Sequence, residues 1–396
     1  MKILVVCQYY YPEPFRLHEV CEALAERGAD VTVLTGLPNY PMGIIPEEYQ
    51  HGKKRDEVLN GVHVIRVNEI PRGKGKIALA KNYASYTFNA SMKALFMKKD
   101  FDAIFVYQQS PVLMAIPAYV AKWFSKCKKL YIYCLDLWPE SLSSLGISED
   151  SAFYKMIKKV SIKIYNGATV LSYTSRQFIE YFEKELKLKQ KNYKYIPQFA
   201  DALFEDVKDE EHEGFNLVFA GNIGEVQAVD TIIRAAALLK DFPAKFYIVG
   251  DGSAYDECLK LAEELKVTDS VIFTGRKPVE EMPKYYAMAD AMLVTLADKK
   301  AISYTLPGKV QSYMAAGKAI LASANGEIPV VLTDAKCGKC VKAHDSEGLA
   351  RLIRETDVNE LKVMGINSKE YYEKNFSKKS HIDMIEELIK GNTEIE

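Results

Sequence analysis

Pro307-Gly308-Lys309 puts a lysine in the first turn of a helix whose apolar positions are Val310, Tyr313 and Met314 and whose stop is Gly317. The first backbone N–H groups of such a helix have no partner within it, and the helix dipole is positive at that end. An ammonium added there makes a place for an anion, and a diphosphate suits it. A capped surface helix with a solvated lysine has the same local sequence, so the surroundings decide between the two. Three more corners fall where strands should meet helices: Gly221-Asn222-Ile223-Gly224, Gly250-Asp251-Gly252 and Gly275-Arg276-Lys277-Pro278. Each glycine alone reads as a turn requirement. Together, the four corners would line one edge of a sheet with closely approaching backbone and basic side chains, which is what a nucleotide requires.

Positioning such corners takes a parallel sheet with crossover helices, and the chain has that pattern from one end to the other. Apolar runs at 3–7, 31–35, 62–67, 103–107, 130–134 and 169–172 read as strands of a first domain. Runs at 215–220, 246–249, 271–274, 291–295 and 319–322 read as strands of a second. Leu17, Val20, Cys21, Leu24 and Ala25 share one helical face, with Gly28 as its stop. Helical patterns follow near 229–240, 255–265 and 279–289. The charged stretch at 201–214 reads as a linker. The expected division is 1–200 with 375–396, the last helix (378–390) crossing back, against 201–374. Two such domains would leave a cleft at the carboxyl ends of both sheets.

With 396 residues, 48% of them hydrophobic, the chain can bury two cores; a formal net charge of −1 supplies no field drawing it to nucleic acid. The seven cysteines show no pairing logic and suit a reducing compartment, so the expected location is the cytoplasm. Cys337 and Cys340 lack a second pair for zinc and read as ordinary thiols. The six histidines have no metal spacing, and no metal or other cofactor is expected. The longest apolar run, 112–121, is too short to span a bilayer.

The order F-A-G-N-I-G-E-V-Q-A-V-D, Y-I-V-G-D-G, F-T-G-R and P-G-K-V-Q-S-Y-M-A-A-G-K-A-I-L-A resembles the C-terminal domain of the retaining family 4 glycosyltransferases, which have the GT-B fold of two Rossmann-like domains. Q-Y-Y-Y-P-E-P-F-R at 8–16, V-T-V-L-T-G-L-P-N-Y-P-M-G at 31–43, N-G-V-H-V-I-R-V at 60–67 and D-L-W-P-E-S-L at 136–142 extend the likeness to a bacterial subgroup that includes N-acetyl-L-fucosamine transferases of capsule and O-antigen gene clusters.

That resemblance implies a UDP-sugar donor in the second domain. Lys309 and the backbone at Gly308 would face the diphosphate, with Gly221, Asn222 and Gly224 as the opposite wall. Gly250 would lie beside the base, Arg276 in the loop that bonds it, and Glu327 in a loop over the sugar or ribose. Many relatives carry glutamates at the positions of Tyr304 and Ser312, and an arginine and a lysine at those of Asn222 and Gln227. None of the four charges is present here, which leaves Lys309 as the main cation. Relatives also place a histidine or an aspartate after a first-domain strand, and Asp136 is the candidate, with capping of the next turn as its ordinary alternative. Trp138 and Glu140 follow on the acceptor side. Asn39 and Tyr40, in a Pro-rich aromatic loop, read either as a sugar-stacking loop or as a rigid turn. Arg16 reads as a phosphate-binding residue or as a solvated first-turn arginine.

From Ile70 to Lys99 the chain has Arg72, Lys74, Lys76, Lys81, Lys93, Lys98 and Lys99 and no acid, with Tyr83, Tyr86, Phe88 and Phe96 between them. A solvated helix face explains this pattern, and so does a peripheral membrane contact through 72–99 that meets a polyprenyl-diphosphate-linked saccharide. A dehydrogenase is disfavoured because 7–14 contains no glycine for a dinucleotide cradle. A GT-B epimerase and an inactive scaffold subunit are the other readings open to this sequence.

Overall fold

A computed structural model describes residues 1–98 and 100–391; Lys99, counted in the basic stretch above, lies outside the described residues. The chain divides into two compact units: 1–174 with 178–196 and the segment from Ile382, and 197–381 with 175–177. It therefore passes from one to the other at 196/197 rather than at 200/201, and returns at 381/382 rather than at 375. The 201–214 stretch is packed on the second unit. Phe204 stacks on Tyr286 with ring centroids 4.9 Å apart, and Lys318 Nζ reaches Asp209 at 2.5 Å. Apolar residues spaced among the charges give the stretch a buried side that its composition conceals.

The first unit holds an eight-stranded sheet: β1 (Lys2–Val6), β2 (Asp30–Thr35), β3 (Asp56–Leu59), β4 (Val62–Arg66), β5 (Ala103–Gln108), β6 (Leu130–Cys134), β7 (Val170–Tyr173) and β8 (Tyr193–Tyr195). The spatial order is 3-4-2-1-5-6-7-8, parallel throughout except for β3 against β4. Every residue of β5 and β6 is buried, as expected of strands covered by helices on both faces. Strand order reverses at β1 and β5, the place where parallel sheets hold ligands. The helix Leu17–Glu26 buries Leu17, Val20, Cys21 and Leu24; each leucine contributes roughly 1.5–3 kcal/mol. Of the helix Lys378–Lys390, the part from Ile382 belongs to this unit. Its Ile382, Ile385, Leu388 and Ile389 are buried, and Arg27 bonds Asp383 and Glu386 at 2.7 Å each.

In the second unit, β9 (Phe215–Ala220), β10 (Ala244–Val249), β11 (Val271–Gly275), β12 (Ala291–Thr295), β13 (Ala319–Ser323) and β14 (Gly338–Val341) form an all-parallel sheet in the order 11-10-9-12-13-14. Alternate strand residues feed two cores, Val218, Met292 and Ile320 on one face and Phe219, Leu293 and Leu321 on the other. Order reverses between β9 and β12, so the loops that leave those strands are the natural ligand edge.

Candidate functional site

Three of the four glycine-rich corners interlock at that edge. Gly221 N–H donates to Val249 O at 2.9 Å, Ile223 N–H to Asp251 O at 2.9 Å, and Gly250 N–H to Gly275 O at 3.1 Å. This closeness excludes side chains. A Cβ on Gly250, where φ is +143°, would stand 1.9 Å from Gly221 O, and one on Gly252 would stand 2.4 Å from Ile223 O. The fourth corner begins the helix Gly308–Ala315, whose Tyr313 hydroxyl both donates to Ala220 O and accepts from Ala220 N–H, each at 3.0 Å. Tyr313 thus ties the helix to the end of β9 and sets its N-terminus beside Gly221.

Among the described residues no side chain caps that N-terminus. The Lys309 ammonium folds back over the Phe219 ring, 3.8 Å from its centroid, and a Cβ on Gly221 would lie 2.9 Å from Nζ. Nζ is enclosed and has no hydrogen-bond partner among the described residues. Desolvation with no compensating anion pushes its pKa down to about 7. A cavity of about 430 Å³ opens alongside, lined by Gly221, Asn222, Gly250, Asp251, Arg276 and Lys277, among others. Arg16 belongs to the first unit and is not among its walls.

The neutral residues that stand where relatives carry charge have internal partners. Gln227 Oε1 accepts from Asn222 Nδ2 at 3.2 Å and from Gly224 N–H at 3.3 Å, which closes the loop on itself. Ser312 Oγ donates to Gly308 O at 3.2 Å, and the Tyr304 carbonyl accepts from Ser175 Oγ. Glu327 starts the helix Glu327–Ala335, fully buried. Its carboxylate accepts from Arg176 N–H and Nε, both at 3.2 Å, and from Gln177 N–H at 3.1 Å, so a sugar hydroxyl would have to share it.

In the first unit the loops after β1, β2, β5 and β6 each contain a cis peptide bond, at Tyr11-Pro12, Tyr40-Pro41, Ser110-Pro111 and Trp138-Pro139. Asp136, two residues past β6, is half-buried. It accepts from Ser110 Oγ at 2.8 Å, and Trp138 Nε1 donates to that same oxygen at 3.0 Å. Burial raises the Asp136 pKa, and the Ser110 bonds offset part of the rise. Glu140 is buried and accepts from the Tyr154 hydroxyl at 3.2 Å. The Asn39 side chain is also buried. It donates to Leu37 O at 2.7 Å and to Glu69, and it accepts from Arg72 N–H at 2.8 Å. Tyr40 packs on Phe15 and Tyr9, with the Arg72 guanidinium 5.3 Å from its ring.

Sequence reasoning assigned nothing to Glu13 or Glu69, yet they organise this edge. Glu13 accepts from the N–H groups of Tyr10, Asn39 and Tyr40, and burial still pushes its pKa up to about 7. Glu69 is raised well above the carboxylate range by burial and by the charge of Glu13. Their separation along the chain hides them, although Glu13 sits inside the Y-Y-Y-P-E-P-F run.

Comparison with known proteins assigns the architecture. The sequence profile described as "Glycosyl transferases group 1" matches residues 202–375. The chain is 29% identical over 257 residues to "Probable glycosyltransferase WbjE" of Pseudomonas aeruginosa, an alignment covering 61% of this chain and 63% of that protein. It is 24% identical to "Putative colanic acid biosynthesis glycosyl transferase WcaI" of Escherichia coli K12, across 99% of this chain and 100% of that one. Among solved structures, Anabaena Alr3699/HepE in complex with UDP superimposes with a TM-score of 0.72 at 15% identity, over 99% of this chain and 100% of that one. The group 1 glycosyl transferase profile thus falls on the second unit, with its sheet, glycine corners and Lys309 helix, and the chain has the GT-B fold.

Proposed function

We propose that this protein is a retaining glycosyltransferase of surface polysaccharide biosynthesis, moving a sugar of the N-acetylated hexosamine or 6-deoxyhexosamine class from UDP to a lipid-linked saccharide. The observation that carries the reading is the enclosed, unpartnered Lys309 ammonium at an uncapped helix N-terminus, beside a wall of glycines. A buried cation is costly unless an anion completes it. The second unit would hold the donor, with the diphosphate on Lys309 and the Gly308 end of the helix, Gly221, Asn222 and Gly224 opposite, and the base near Gly250 and Arg276. The name of WcaI supports the class of product, and the UDP complex of HepE supports the class of donor.

In such a transfer the departing diphosphate gains negative charge, and fixed positive groups aimed at it supply the largest stabilisation the protein can offer. Lys309 Nζ, enclosed over the Phe219 ring, would have to turn outward to do so. In the first unit, Asp136 would orient a sugar hydroxyl or stabilise positive charge at the anomeric carbon. Asn39, Tyr40, Trp138 and Glu140 would shape the acceptor side through the contacts described above.

Asp136→Asn keeps the Ser110 bond but removes the charge. It is expected to lower transfer by about a hundredfold or more while UDP affinity changes less than about twofold. Single-turnover transfer and UDP titration on the same variant check this. Unchanged turnover would remove Asp136 from the chemistry, and an equal loss of UDP binding would make its role structural.

A further inference from the structure

The helices Lys76–Phe96, Ile116–Phe124 and Ala152–Asn166 contain no aspartate or glutamate, in a chain with 53 acidic residues against 52 basic ones. They follow β4, β5 and β6, and each crossover steps the same way along the sheet, so right-handed connections put all three on one face. There they form a continuous layer. Lys76–Phe96 packs along Ile116–Phe124, the Tyr119 hydroxyl donates to Ile164 O, and Lys122 Nζ donates to Gly167 O at 3.3 Å.

The outer side of this layer is cationic and apolar together. Lys76, Lys81, Lys93, Lys155, Lys159 and Lys163 are exposed. Among them stand Phe88, Phe96, Trp123, Phe124, Phe153 and Met156, with Trp123 83% and Phe96 78% in solvent. The first helix already buries Tyr83, Tyr86, Ala90 and Ala94 inward, so its second apolar stripe serves no core. Glu140, which accepts from the Tyr154 hydroxyl, is buried, and Asp150, 3.6 Å from Lys155, lies in the loop before the third helix.

We propose that this layer docks the protein on an anionic lipid surface, with Trp123, Phe124 and Phe96 entering the headgroup region and the lysines facing lipid phosphates. All the cations of the three helices are lysines and none is arginine. Lysines act as point charges that suit a diffuse anionic plane, whereas protein interfaces favour arginine and are depleted in lysine. A surface tryptophan among lysines fits the membrane boundary in the same way. Among the described residues no helix is long and apolar enough to cross a membrane, so the contact is one of surface. The inference extends the reading of a lipid-linked acceptor, yet its test needs neither donor nor acceptor.

The chain has two tryptophans, and Trp138 is only 3% exposed, so Trp123 reports on this face. Full-length protein is mixed with vesicles of phosphatidylglycerol in phosphatidylcholine, or of phosphatidylcholine alone. Cosedimentation and a blue shift are expected with the anionic vesicles, at least about tenfold stronger than with the neutral ones and weakened by salt. Trp123→Phe should abolish the shift. Lys81→Glu with Lys159→Glu should weaken cosedimentation by about tenfold or more and leave thermal stabilisation by UDP unchanged. Absence of vesicle binding by protein that UDP still stabilises would overturn the docking face alone. Capture by duplex DNA without vesicle binding would overturn it in favour of a nucleic acid. Unaltered binding of the charge-reversed variant would overturn it too.

Discussion

Lys309→Met is expected to make the free protein more stable and at the same time to weaken UDP binding by roughly ten- to a hundredfold. The loss corresponds to a charge-assisted hydrogen bond of about 1.5–3 kcal/mol. The gain in stability follows because the wild-type ammonium is enclosed, without a partner, over the Phe219 ring. An apolar side chain of similar length removes that penalty. Opposite signs in stability and binding distinguish this lysine from a structural one, whose loss would lower both. Asn222→Ala should weaken UDP less, by roughly two- to tenfold, since it removes a neutral partner. The pH dependence has a definite sign. The folded pKa of about 7 lies below the ordinary 10.5, so between those values the unfolded chain holds a proton that the folded one lacks. Stability from this group therefore falls as pH drops from about 10 toward 7, and the methionine variant loses that slope. For the same reason UDP, which favours the ammonium, should bind with proton uptake above pH 7 and more weakly as pH rises. Calorimetry in buffers of different ionisation enthalpy reads the uptake directly.

Gly250→Ala is the second large effect, and it acts on folding. At φ +143° its Cβ would stand 1.9 Å from Gly221 O, on backbone that Gly221 N–H and Gly250 N–H already tie to β10 and β11. No flexible side chain can give way, so the cost should reach about 3 kcal/mol or more. That predicts a melting temperature lower by roughly 6 °C or more, with UDP binding lost alongside. Gly275→Ala is the control. It also has a positive φ, +70°, but nothing lies within 4 Å of the added Cβ, and the cost should be about 1 kcal/mol. Thermal unfolding of the two variants side by side checks the contrast. Equal losses would mean that the close approach of the 221 and 250 corners is not what these glycines secure.

Buried parallel strands announce themselves as apolar runs, which is why β1, β2, the strands from β4 to β7 and those from β9 to β13 were legible from sequence. The strands that were not legible lack such a run. β3 is Asp-Glu-Val-Leu on an edge, although the Asn60-Gly61 hairpin turn that returns it, with φ of +48° and +82°, is a strong signal. β8 is three residues long. β14 opens on Gly338, where a Cβ would meet Ile320 O at 2.0 Å, so close packing replaces the apolar run. At the site, the Pro307-Gly308-Lys309 opening and the glycine corners could be read locally because helix starts and turns are local. That the Lys309 ammonium is enclosed could not, since it depends on Phe219 arriving from another strand. Glu13 and Glu69 meet only because β1 and β4 end at the same edge. The acid-free layer was visible in one helix, and its extent required the packing of three.

Thermal stabilisation of the full chain by UDP, measured beside uridine, ADP and GDP, decides whether the Lys309 edge is a nucleoside diphosphate site. Ligand that binds only the folded state raises the melting temperature by mass action. The proposed site predicts a clear rise with UDP, little with uridine, which lacks the diphosphate, and loss of the UDP effect in Lys309→Met. No rise with any nucleoside diphosphate, or an equal rise with uridine, would contradict it.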